Sequence, residues 1–153
     1  MGRQVTITGT RSVSTDGLAR LGGLFAEYLG PFATADAHFH LGGAAGIDTL
    51  ALDWLAEHTK TALTVVVPCG VADQPEAAAG SVTRWQRAGR LAEVVELGAS
   101  RLDAAAYHAR NRWMVDRSGF VVGFPENAGQ GSGTWYTLDY AAGQGKPRLV
   151  VPI

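Results

Sequence analysis

Along this chain, short runs of apolar and β-branched residues alternate with longer segments in which apolar positions recur every three or four residues. The short runs, 4–8, 38–41, 63–68, 93–97, 119–124 and 148–151, predict strands, and their near-continuous hydrophobicity predicts a parallel sheet buried on both faces. Between them the helical period predicts helices. The first covers 15–29, with Leu18, Leu21, Phe25, Tyr28 and Leu29 on one stripe and Ser14 or Thr15 as its cap. A second opens at Ile47 and turns Ile47, Leu50, Ala51, Trp54 and Leu55 inward, and three more are predicted over 77–90, 102–117 and 132–143. The stretch 69–80, with Pro75 and several alanines, reads as a surface loop able to close over a ligand. Strand and helix alternating in this way predict an α/β, Rossmann-like, doubly wound and mostly parallel sheet of about six strands flanked by helices.

Composition narrows this picture. A chain of 153 residues, 46% of them hydrophobic and with no linker or repeat, fits one domain with a continuous core. Lysine and arginine total 13 against 14 acidic residues, a formal net charge of −1, so a nucleic-acid partner is disfavoured on global charge. The single cysteine, Cys69, and a start that runs straight into a strand pattern predict a reducing cytoplasm. No apolar run approaches the roughly 20 residues needed to span a bilayer, so no membrane partner is expected.

The 20 glycines gather where strands end. Thr8-Gly9-Thr10-Arg11-Ser12 follows the first strand, where glycine lets backbone approach a phosphate and Thr10, Arg11 and Ser12 donate hydrogen bonds. Gly42-Gly43-Ala44-Ala45-Gly46-Ile47-Asp48 opens directly into a helix, whose first N–H groups would face the same crevice. Arg110 and Asn111, with Arg112, precede the fifth strand, and Gly129-Gln130-Gly131-Ser132-Gly133-Thr134 leads from that strand into the last helix. In a doubly wound sheet such turns converge where strand order reverses. Each also has a plainer explanation, since glycine serves close helix–strand packing and the Arg110 stem can cover the core. The G-x-G-x-x-G spacing, a ribose-binding acid after the second strand and a Walker A lysine are all missing, which disfavours an NAD dehydrogenase and a P-loop ATPase.

These segments, with Ala51, Met114, Asp116, Tyr140-Ala141 and Gly145-Lys146-Pro147, resemble in order the SLOG superfamily. That group includes the DNA-processing protein A family, the YpsA and YspA-like proteins and the LOG phosphoribohydrolases. The resemblance implies a Rossmann-like fold, frequent homodimers or higher homo-oligomers, and a pocket for nucleotides or their derivatives. LOG enzymes carry P-G-G-x-G-T-x-x-E, whereas here the proline is absent and Thr137 stands in the glutamate position. Threonine cannot stabilise the cationic ribose that develops as an N-glycosidic bond breaks; Asp48, Asp116 or Asp139 would have to substitute.

The expected ligand-binding set is Gly9, Thr10, Arg11, Ser12, Gly42, Gly43, Ala44, Gly46, Asp48, Arg110, Asn111, Gly131, Ser132, Gly133 and Thr134, with no catalytic residue, metal or cofactor assigned. The leading expectation is a non-catalytic module or sensor for a nucleotide-like small molecule. The alternatives are a LOG-like phosphoribohydrolase with a displaced carboxylate and a single-stranded nucleic-acid-binding module of the DNA-processing type. Arg84, Trp85, Arg87 and Arg90 are the one local basic-aromatic cluster, which an exposed helix face also explains. His38 and His40 share a strand face without a third metal ligand. The helical period turns His108 about 160° from Arg110, and Trp135 and Tyr136 are candidates for stacking on a base or for an interface between subunits.

Overall fold

A computed structural model of the chain describes residues 2–126 and 132–153. Its strands are β1 (Gln4–Gly9), β2 (His38–Leu41), β3 (Ala62–Val67), β4 (Glu93–Glu96), β5 (Phe120–Phe124) and β6 (Arg148–Val150). Its helices are α1 (Thr15–Tyr28), α2 (Ile47–His58), α3 (Glu76–Arg87), α4 (Ala104–Asp116) and α5 (Gly133–Gly143). The six strands form one sheet in the order β4-β3-β2-β1-β5-β6, and every pairing is parallel. From β1 the chain steps outward through β2, β3 and β4, then returns to the other side of β1 to lay down β5 and β6. The order therefore reverses between β1 and β5, and the carboxyl ends there are where this architecture opens a crevice.

Burial explains why these runs become strands. Val5, Ile7, Phe39, Leu63, Val65 and Val122 lose all solvent exposure, as central strands of a sheet covered on both faces must. Helix starts are fixed by side chains. Ser14 Oγ accepts from the Gly17 amide at 3.0 Å and Asp103 Oδ1 accepts from the Ala106 amide at 2.9 Å, each satisfying an N–H with no partner inside the helix.

Several expectations need correction. The stretch 69–80 is not one loop: after a short 3₁₀ turn at Val71–Asp73, α3 begins at Glu76, because Ala78, Val82 and Trp85 bury one side of it. Leu18 is exposed, so the α1 stripe rests on Leu21, Phe25 and Leu29. Half of the basic-aromatic cluster is scaffold, while Arg84 and Arg87 are exposed. Trp85 is buried and its indole N–H donates to Asp53 at 2.8 Å, while the Arg90 guanidinium caps carbonyls of Leu55, Ala56, Thr59 and Thr61 at and beyond the end of α2. His38 and His40 stack on each other, with ring centroids 4.6 Å apart, and turn their Nε2 atoms to Thr64 and Gln4. Burial, then repulsion from His38 and Arg117, holds His40 down at about 4. Among the described residues no group of three or more metal-ligating side chains occurs, and no helix is long and apolar enough to cross a membrane.

Candidate functional site

At the carboxyl ends of the paired β1 and β5, a pocket of about 530 Å³ opens between the end of β1 and the starts of α4 and α5. From the first turn it takes Gly9, Thr10, Arg11 and Ser12; from the second, Ala44 and Asp48; from α4, Arg110 and Asn111; from the start of α5, Ser132, Gly133 and Thr134. All four segments singled out by their glycines and arginines thus meet around one cavity, the fourth through its last three residues, Ser132, Gly133 and Thr134. Gly42, Gly43 and Gly46 stand behind the wall rather than on it. Gly131 falls outside the described residues.

The second turn is closed by the protein itself. Gly43 and Gly46 adopt φ of 65° and 77°, which side-chain-bearing residues rarely reach, and a Cβ on Gly46 would collide with the Thr10 and Arg11 backbone. That close approach lets Thr10 O accept the first α2 amide, Ile47 N–H, at 3.0 Å. The Asp48 carboxylate folds back to accept from the Ala44 amide at 3.2 Å, with the Gly42 amide also contributing. A turn that reads as an anion cradle therefore already cradles an anion from its own chain. Burial raises the Asp48 carboxyl above its usual range, and Arg110 with these amides works against that rise.

The starts of α4 and α5 differ. Asp103 satisfies the Ala106 and Tyr107 amides, and Ser132 satisfies those of Trp135 and Tyr136. The Ala104, Ala105, Gly133 and Thr134 amides have no acceptor among the described residues, and Ala104, Gly133 and Thr134 line the pocket. Two helix N-termini consequently turn unpaired donors and positive dipole ends towards one space.

Arg110 is deeply buried. Its Nε donates to Asn111 Oδ1 at 2.7 Å and its Nη1 to the carbonyl oxygens of Gly42 and Val66, at the ends of β2 and β3. Gly42 has to be glycine beside it, because a Cβ there would lie 2.6 Å from Arg110 Nη1 and 2.7 Å from Asp48 Oδ2. Nη2 has no acceptor among the described residues, and Arg110 lines the pocket as a guanidinium fixed by its other contacts. Arg11 is exposed and lies 4.2 Å above the Tyr107 ring centroid.

Tyr107 and His108 line the pocket too and were not among the expected site residues. Tyr107 stands three residues before Arg110 and seven before Met114, a spacing that shares a helix face and could have revealed it. His108 corrects the period-based reading. Its ring stacks on Tyr136 at 3.8 Å, and this contact with α5 brings it to the pocket wall although it points away from Arg110. Tyr136 is thereby occupied: it also accepts from Arg112 at 2.7 Å, while Trp135 packs against the buried cluster of Val115, Val121, Leu138 and Ala141. Thr137 is fully buried and donates to Gly133 O at 2.9 Å. Asp116 accepts from the Tyr140 hydroxyl and Asp139 meets Arg148, so of the three carboxylates weighed as substitutes only Asp48 lines the pocket.

The family model described as DNA recombination-mediator protein A matches residues 1–153. The chain belongs to that family. Two solved structures share its fold. DNA processing protein A from Streptococcus pneumoniae superposes with a TM-score of 0.73 at 21% identity, over 99% of this chain and 51% of that one. DNA processing protein A from Helicobacter pylori, whose structure was determined for its single-stranded DNA binding mode, gives 0.70 at 20% identity, over 99% of this chain and 66% of that one. The chain thus spans half to two-thirds of these proteins. No curated protein matches it. Family membership overturns the expectation, taken from a net charge of −1, that nucleic acid is a disfavoured partner: the sum of charges does not record where individual guanidinium groups and helix ends collect.

Proposed function

We propose that the chain binds single-stranded DNA and seats one nucleotide of the strand in the pocket between α4 and α5. The phosphate lies against the Gly133 and Thr134 amides and Arg110 Nη2, with Arg11 closing from the rim, and the sugar and base run along Tyr107 and His108. The convergence of two helix N-termini, whose first amides have no acceptor among the described residues, with a buried and an exposed guanidinium carries this reading. Family membership and the Helicobacter pylori protein's binding of single-stranded DNA support it. The pocket holds two arginines and two aspartates, and both carboxylates accept from backbone amides, so the electrostatic footprint is local.

A small footprint makes a quantitative expectation. With about two phosphates neutralised, the logarithm of affinity for oligothymidylate should fall with the logarithm of salt at a slope near −1.4, and Arg11→Ala should remove about half of that slope. Fluorescence anisotropy of a labelled oligonucleotide measures both. Absence of binding at about 50 mM salt, together with a melting-temperature rise on adding thymidine monophosphate, would favour a small-molecule sensor instead.

A further inference from the structure

At the opposite, amino-terminal edge of the sheet a second cavity of about 540 Å³ lies over the starts of β1, β5 and β6. It is built from aromatic rings and cations. Phe32 and Phe120 pack with centroids 4.8 Å apart at an interplanar angle of 49°, and the Arg3 guanidinium stands 5.3 Å above the Phe32 ring. Arg117 is exposed, lies 3.7 Å above the Trp113 ring and donates one N–H to the Trp113 carbonyl oxygen at 3.0 Å, which holds the guanidinium on the ring. Gly119 and Pro147 add small, exposed backbone on which a planar group can rest.

Among the described residues no carboxylate lines this cavity. Asp36, an acid that feels Arg3, already accepts from the Thr34 hydroxyl at 2.7 Å, and Arg3 is the weakest of the influences on it. Phenyl faces beside guanidinium groups with no carboxylate partner are the elements with which proteins stack bases and hold phosphates of a single strand. The volume suits one nucleotide.

We infer that this edge is a second contact for single-stranded nucleic acid, with a base against Phe32 and Phe120 and a phosphate between Arg3 and Arg117. It extends the reading above to a surface on the far side of the sheet, and the two stand or fall separately. β1 alone sets the sites about 20 Å apart, so a short oligonucleotide occupies one or the other and a long one can engage both.

Backbone amide shifts in isotope-labelled protein, titrated with an oligothymidylate of about four nucleotides, separate the two edges. The expected result is two independent sets of shifting amides, one around Gly119 and Phe120 and one around Ala104 and Thr134. In the double variant Arg3→Glu, Arg117→Glu, both at exposed positions, the first set should need about tenfold more oligonucleotide and the second should be unchanged. Shifts confined to Ala104 and Thr134 would overturn this inference and leave the first pocket standing; shifts confined to Gly119 and Phe120 would do the reverse. Oligoglutamate that moves the Gly119 and Phe120 amides as strongly as oligothymidylate would reduce the edge to a charge trap and overturn its assignment to nucleic acid.

Discussion

The turn after β2 and the start of α5 look alike in sequence, each a glycine-rich segment running from a strand into a helix, yet only one is free to take a ligand. After β2, Thr10 O holds the first helical N–H and the Asp48 carboxylate fills the turn behind it. At α5, Ser132 satisfies the amides of Trp135 and Tyr136, and those of Gly133 and Thr134, both lining the pocket, have no acceptor among the described residues. A helix N-terminus is an anion site only if the protein has not already supplied the anion or the carbonyl. The closed turn is useful in another way, because its Gly42 carbonyl oxygen fixes Arg110, which lines the same pocket.

The sharpest way to break this contrast is to reopen the closed turn. Gly46→Ala forces a side chain into positive φ and against the Thr10 and Arg11 backbone, and should cost about 3 kcal/mol or more in denaturant unfolding. Next in size is a pH effect that belongs to the shared scaffold rather than to either turn. His40 titrates at about 4 when folded against 6.5 when unfolded, so the unfolded chain takes up a proton that the native state refuses as pH falls through this window. Stability should therefore drop by about 3 kcal/mol between pH 6.5 and 4, and His40→Gln should flatten that part of the curve. Ser132→Ala removes the cap beside the open amides; a loss of about 1 kcal/mol with weakened oligonucleotide binding is expected, whereas a change in stability alone would detach that helix end from the ligand. The smallest effect is reserved for the α3 face. Arg84 and Glu57 pair at 3.7 Å in solvent, so Arg84→Ala should shift stability by less than about 0.5 kcal/mol and leave binding untouched.

Much of this fold could be read from local pattern. The β-branched run Val65-Val66-Val67 can hardly be other than a buried strand, and Ser14 and Ser132 mark helix starts through hydrogen bonds spanning three residues. What stayed hidden depends on partners distant in the chain. Nothing near Gly46 announces that Thr10 O will occupy Ile47 N–H, and nothing near His108 announces that Tyr136 will draw its ring to the pocket. Arg84, Trp85 and Arg90 look like a nucleic-acid surface until Asp53 and the end of α2 claim two of them. Arg11 and Arg110 look isolated until β1 and α4 bring both over Tyr107.

Photocrosslinking with an oligonucleotide carrying 5-iodouracil, followed by mass-spectrometric mapping of the attached peptide, tests the α4–α5 pocket most directly. Attachment to Tyr107 or His108, lost when unlabelled oligothymidylate competes, is the result expected of a strand seated there. Attachment only to Trp85 or Trp54, with α4 unmodified, would place the nucleic acid on the α2–α3 face and contradict the account.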